Sequence, residues 1–270
     1  MKKTLTYPDG EMHYRVLGNG QPLLLLHGFG ESGTIWDLQS KKLASEAMLL
    51  IPDLPGTGES PSPASGPFTS LEKHAALLNA LLDTERIESC TLVGHSMGGY
   101  IALAFAEMFP ERLDGFGLFH STALPDSPQR LEARKKGIRL MQEYGADAFL
   151  AEIIPGLYSE TFRQTNQAAV QQHVAESTKW ATKEVLTGYY EAMMSRPDRT
   201  RVLDEFPRPV CMVLGTHDKT VDLNETKPQI GLLQQGSVSI LESVAHMGMR
   251  EDTEASFDIL RLFLQKTKQP

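Results

Sequence analysis

The sequence predicts an α/β fold: a mostly parallel sheet covered by helices on both faces and interrupted once by a helical insertion. Three observations carry that prediction. Short, continuous apolar runs recur along the chain, separated by stretches with helical spacing. One run breaks into a Gly-x-Ser-x-Gly turn and re-emerges as a helix of small residues, Tyr100 to Ala106. Residues 123 to 206 hold no strand-like run, only amphipathic stretches punctuated by Pro125, Pro128, Pro155, Gly156 and Pro197.

The elements follow in order. Leu5–Tyr7 and Met12–Val16 alternate in character around Pro8-Asp9-Gly10, a turn signal, so the chain opens with a hairpin. Pro22–Leu26 is apolar throughout, as a strand buried on both faces must be, and Met48–Asp53 is a second such run. Ser89–Val93, Gly115–Phe119, Pro209–Gly215 and Ser237–Leu241 supply four more. Helical patterns separate most of them, for example His74–Asp83 and Tyr100–Met108, and a last helix begins near Asp252-Thr253. Between the fourth buried strand and the fifth, apolar Leu140, Met141, Tyr144, Phe149 and Leu150 recur at helical spacing. That stretch of roughly 80 residues far exceeds one crossover helix and predicts a helical cap. The expected division is therefore a core over 1–122, a cap over 123–206 and the rest of the core over 207–270.

Composition narrows the partners. With 270 residues the chain can bury a large core, and 41% hydrophobic with 22% charged residues is ordinary for a globular protein. A formal net charge of −8 opposes nucleic acid or an anionic membrane surface as the main partner. Cys90 and Cys211 both fall in apolar runs, and two buried thiols fit a reducing compartment better than a disulfide framework. Met1–Gly10 carries two lysines with no apolar segment behind them, and no apolar run approaches the ~20 residues that span a bilayer. The expectation is a cytoplasmic protein acting on a small molecule; composition leaves the oligomeric state open.

The chemistry centres on Gly94-His95-Ser96-Met97-Gly98-Gly99, the spacing of a nucleophile elbow. Ser96 on a tight strand-to-helix turn presents its hydroxyl at the sheet edge, and flanking glycines leave room for the neighbouring backbone. A serine needs a base, and the base an orienting acid. Among eight histidines, His13, His74 and His173 read as structural or solvated, His27 as ordering its loop, and His217 as a turn residue. His95 points away from the Ser96 side chain, and His120, after the fourth buried strand, is placed to line a pocket. His246 follows the last strand, in a loop at the carboxyl ends of the strands where open α/β sheets bind ligands, and is the candidate base. Asp218, after Val213-Leu214-Gly215, is the candidate acid, with Asp126 as the rival placement; Asp222 and Glu225 fall later. Oxyanion donors are expected from the backbone N–H groups of Met97 and Phe29. No ligand pattern for a metal is present, and no dinucleotide or phosphate-loop fingerprint, so neither metal nor cofactor is expected. Asp53, in Asp53-Leu54-Pro55-Gly56-Thr57-Gly58-Glu59-Ser60, reads as a structural hydrogen-bonder.

These motifs in this order, from His27-Gly28-Phe29-Gly30 to Ala245-His246, resemble the α/β-hydrolase superfamily. The resemblance implies an eight-stranded, mostly parallel sheet with a helical cap after the sixth strand; it does not set the substrate. A serine at the elbow argues against dehalogenases and epoxide hydrolases, which use aspartate there. The lysine that similar hydroxynitrile lyases carry beside the histidine is absent between Ala245 and Met247. Metal-free perhydrolases favour a methionine after the serine, so Met97 leaves peracid formation open as a side activity. The main expectation is a serine hydrolase of small to medium carboxylic esters, acting through an acyl-enzyme on Ser96. Its pocket walls would come from Phe29, Met97, His95, His120, Met247 and the cap residues Leu157, Tyr158, Trp180, Tyr189 and Met193. A carbon–carbon hydrolase of β-diketone-like acids is the alternative, with Arg130, Arg134, Arg163 or Arg196 available to hold an anion. A third reading is a slow-turnover ligand sensor on a hydrolase scaffold.

Overall fold

The computed structural model describes residues 1–268. Eight strands form one sheet: β1 (Lys2–Tyr7), β2 (Gly10–Leu17), β3 (Pro22–Leu26), β4 (Met48–Pro52), β5 (Cys90–His95), β6 (Leu113–Phe119), β7 (Val210–Gly215) and β8 (Gly236–Leu241). Their order across the sheet is β1-β2-β4-β3-β5-β6-β7-β8. β2 is antiparallel to both β1 and β4, and every other pairing is parallel. The eight-stranded, mostly parallel sheet of an α/β-hydrolase fold is thus present.

Burial explains the sequence pattern. β5, β6 and β7 are buried at every residue and β3 at all but its first, so no polar alternation survives in them. β8 is an edge strand, and it alternates between exposed and half-buried residues until Leu241. The helices are α1 (Asp37–Leu43), α2 (Leu71–Thr84), α3 (Met97–Met108), α4 (Pro128–Tyr144), α5 (Ala146–Ile153), α6 (Glu160–Thr165), α7 (Gln167–Thr178), α8 (Lys183–Met194), α9 (Thr200–Glu205), α10 (Leu223–Thr226), α11 (Gly248–Glu251) and α12 (Thr253–Lys266). α2 packs on α3, and α1 on α12. Gly94 meets α3 while Gly117, on the opposite face, meets Phe263 of α12, so the two helix pairs cover the two faces.

All of α4 to α9 lies between β6 and β7. This helical insertion packs on loops at the carboxyl ends of the strands. Tyr189 Oη donates to the carbonyl of Pro55 after β4, and Tyr190 stacks on Phe29 after β3. The Leu157 carbonyl accepts from the His246 backbone after β8. Among the described residues, no helix is long and apolar enough to cross a membrane.

Candidate active site

The elbow is built from close backbone packing. Ser96 caps α3 with φ 51° and ψ −115°, a left-handed conformation that a non-glycine residue adopts only under constraint. A Cβ on Gly94 would lie 2.1 Å from the Gly98 backbone, and one on Gly98 would lie 2.7 Å from the His27 carbonyl oxygen. Only glycine allows strand and helix this approach, and the turn holds Ser96 at the sheet's carboxyl edge. Its hydroxyl makes no hydrogen bond among the described residues.

The loop after β3 is held against it. His27 Nε2 accepts the Leu54 N–H at 3.0 Å, with the Thr57 hydroxyl also 3.0 Å away, so His27 orders the loop after β4 as expected. Asp53 accepts from the N–H groups of Gly33 and Glu59, a structural role. A Cβ on Gly28 would lie 3.1 Å from Ser96 Cβ, so the loop passes directly beside the serine. The backbone N–H groups of Phe29 and Met97 donate to no acceptor among the described residues.

Asp218 and His246 form the second half. Asp218 Oδ2 accepts from His246 Nδ1 at 2.8 Å, and Oδ1 accepts from the Thr220 and Val221 N–H groups at 2.8 and 2.9 Å. A further donor reaches Oδ2: the ring of His120, through Nδ1 at 3.1 Å. Burial alone would raise the carboxyl pKa, but the facing His246 ring and these hydrogen bonds hold it far below the ordinary value. Burial pushes His120 down to about 4, against the pull of Asp218, so its ring is neutral and donates from Nδ1. One ring nitrogen of His120, a carboxylate oxygen of Asp218 and one ring nitrogen of His246 lie within 4.8 Å of one another, a spacing that suits a metal ion. Yet both Nδ1 atoms already direct protons at a carboxylate with four donors, so the facing atoms are taken up as hydrogen bonds, while His120 Nε2 has no partner among the described residues.

The expected wall residues separate into groups. His120 faces Asp218, and His95 is fully buried with both ring nitrogens bonded, so neither ring lines open space. Trp180 lines a cleft of about 420 Å³ with Lys2, Arg15, Ile51 and Lys179, which none of Ser96, Asp218 and His246 lines. Tyr158 Oη is bonded to His173, Tyr189 Oη to Pro55, and Met193 and Met247 are buried. Leu157 meets the His246 backbone directly. Asp126, the rival acid, is taken by Arg134 and Arg196 at 2.6 and 2.7 Å.

Two supporting carboxylates escaped sequence reasoning. Glu31 accepts from Gly28 N–H and pairs with His95; Glu251 accepts from the N–H groups of Ala245, Met247 and Ser159. Glu31, only four residues after His27 in a loop otherwise poor in charge, was the one available signal.

Comparison with known proteins identifies the family of the fold. A family model described as alpha/beta hydrolase fold matches residues 21–251. The chain is similar to Lipase 1 of Psychrobacter immobilis, 27% identical over 97% of this chain and 83% of that one. It is also similar to a 2-hydroxy-6-oxononadienedioate/2-hydroxy-6-oxononatrienedioate hydrolase of Paraburkholderia phymatum, 26% identical over 94% of this chain and 90% of that one. Among solved structures, a thermophilic esterase from Thermogutta terrifontis superposes over the whole of both chains with a TM-score of 0.91 and 27% identity.

Proposed function

The chain belongs to the alpha/beta hydrolase fold family, and from that premise we propose that it is a serine hydrolase of small to medium, uncharged carboxylic esters. The observation that carries this reading is the orientation of His246. Its Nδ1–H is committed to Asp218, which leaves Nε2 as the ring's proton acceptor at the edge where Ser96 stands.

In the proposed cycle His246 Nε2 takes the Ser96 proton as Oγ attacks the ester carbonyl. The Phe29 and Met97 N–H groups receive the oxyanion. The tetrahedral species collapses, the proton passes from Nε2 to the departing alkoxide, and an acyl-Ser96 remains. Water then gives a proton to Nε2 as its oxygen attacks the acyl carbon, and Ser96 leaves with that proton. Contacts between nucleophile and base commonly tighten only in the substrate complex, in keeping with the unbonded Ser96 hydroxyl. The cycle calls on no cofactor.

The cap arginines favour an uncharged substrate over a β-diketone-like acid. Arg134 and Arg196 are spent on Asp126, and Arg130 on Glu225 and the Thr220 carbonyl. Arg163 is exposed on α6. The similar oxononadienedioate hydrolase keeps carbon–carbon cleavage as the second reading. Buried, unpaired Cys90 and Cys211 support a cytoplasmic setting.

Hydrolysis of p-nitrophenyl esters from acetate to laurate, with Ser96→Ala beside wild type, tests the proposal. Turnover with a chain-length optimum, reduced on the order of 10⁴-fold or more in Ser96→Ala, is expected. Folded wild type that cleaves no ester, or a Ser96→Ala variant that keeps its rate, overturns it.

A further inference from the structure

Beside Ser96 lies a second histidine–carboxylate pair that the proposed cycle does not use. His95 Nδ1 is 2.9 Å from Glu31 Oε2, and His95 Nε2 is 2.9 Å from the carbonyl oxygen of His246. Both side chains are buried, at 1% and 2% exposure. Glu31 Oε2 also accepts the N–H of Gly28, one residue before the expected oxyanion donor Phe29, at 2.6 Å.

Counting protons decides the state of this pair. A backbone carbonyl only accepts, so Nε2 must carry a proton. The contact between Nδ1 and Oε2 needs another, because two bare acceptors at 2.9 Å repel. A lone neutral imidazole has one proton, and this pair holds two. The second resides on nitrogen, since imidazole is the stronger base by about two pKa units and Oε2 already accepts a backbone N–H that favours its ionised form.

We propose that His95 is a buried imidazolium, held by Glu31, whose two N–H groups tie the loop carrying Phe29 to the backbone of His246. Glu31 and His95 are then positioning residues for the proposed hydrolysis, and the inference about their role rests on that reading. The chain of bonds runs from Gly28 N–H to Glu31, from His95 to Glu31, and from His95 to the His246 carbonyl. It fixes an oxyanion donor and the base relative to each other without passing through Ser96. Buried ion pairs cost desolvation and are retained where every donor and acceptor is met, as here. The electrostatics agree. Burial works against a charged His95, but the charge and hydrogen bond of Glu31 and the His246 carbonyl outweigh it and raise its pKa. Burial likewise opposes the Glu31 carboxylate, and His95 nonetheless draws it down to about 2. The other titratable or charged groups around the pair are His27, His120, Tyr158, His173, Glu176, Asp218, His246 and Arg250.

The test counts ring protons. Nitrogen–proton correlation spectra of ¹⁵N-histidine-labelled protein, with His95 assigned by difference from His95→Gln, are expected to show both of its ring nitrogens protonated at pH 8. In Glu31→Gln one of those protons is lost. The same variant is expected to drop kcat about 10- to 100-fold with KM within about threefold, because binding is untouched and alignment is not. A His95 carrying a single ring proton at pH 8 in wild type overturns the proposal even if the variant fails to fold. So does a folded Glu31→Gln with wild-type kcat. If wild type shows no Ser96-dependent turnover, the hydrolase reading fails, and the ring-proton count still decides the state of the pair.

Discussion

The backbone N–H of His246 donates to the carbonyl oxygen of Leu157 at 2.9 Å, so the helical insertion helps to hold the loop of the proposed base. Glu251 reinforces the contact from the other side, with Oε2 on Ser159 N–H and Oε1 on the N–H groups of Ala245 and Met247. A movement of residues 157–159 away from the core breaks a bond to His246 itself.

Glu251→Gln replaces one acceptor oxygen by a donor and removes the charge. Hydrogen exchange at 157–159 and 245–247 is expected to speed up, and kcat to fall about tenfold, the scale of one lost charged hydrogen bond. Unchanged exchange with kcat within twofold of wild type would show that the clamp is idle.

His120 is the second ring on Asp218, so His120→Leu leaves that carboxylate one donor short. A loss of about tenfold in kcat is expected, with the acid limb of the rate profile moved to higher pH. Asn places an amide nitrogen near the Nδ1 position and tolerates the φ of 47° found there, so His120→Asn is expected to recover most of the rate. Equal losses in both variants would refute the donor role.

Tyr190 of α8 stacks on Phe29 at 4.3 Å between ring centres, with the Arg134 guanidinium 5.2 Å from the Tyr190 ring. An aromatic pair is worth about 0.5–1.5 kcal/mol, and here it orders the residue offered as oxyanion donor. Tyr190→Leu is predicted to lower kcat/KM about 3- to 10-fold, and Tyr190→Phe to keep it. A Tyr190→Phe variant as poor as Tyr190→Leu would trace the effect to the hydroxyl instead.

Acid stability follows from buried neutral histidines. Burial lowers His74 to about 3 and His173 to about 4, as it does His120. Each takes up a proton near pH 6.5 when unfolded but not when folded. Stability is therefore lost as pH falls from 6.5 toward 4, by up to about 1.4 kcal/mol per pH unit for each group. Neither ring nitrogen of His74 has a partner among the described residues, so His74→Leu removes a titration without breaking a bond. In urea melts the variant is expected to gain about 2 kcal/mol on wild type between pH 7.5 and pH 5. Parallel pH profiles would place the acid sensitivity elsewhere.

Much of this architecture was legible in one dimension, and the reason is steric. Gly94 and Gly98 announce the elbow because no other residue permits that approach, and β5 to β7 read as unbroken apolar runs because both their faces are covered. Asp218 and His246 stand just past strand ends, where position alone nominates them. The pairings of Glu31, His120 and Glu251 left no such trace. They join residues 64, 98 and 92 positions apart, and periodicity is silent on which buried polar group meets which. Trp180 shows the same limit: it is an expected apolar wall of the site, and the cleft it lines is shared with Lys2 and Arg15 from the start of the chain.

The order of strands has a consequence for the newborn protein. Ser96 follows β5, near the middle of the sheet, but Asp218 and His246 arrive only after β7 and β8, and each of those strands docks on the one before it. A ribosome-bound chain that has released the elbow and even the whole helical insertion still lacks the proposed base and acid for its serine. Domains fold on the ribosome from the amino terminus onward, so the proposed hydrolytic machinery stays unarmed until β8 and the loop behind it have been translated.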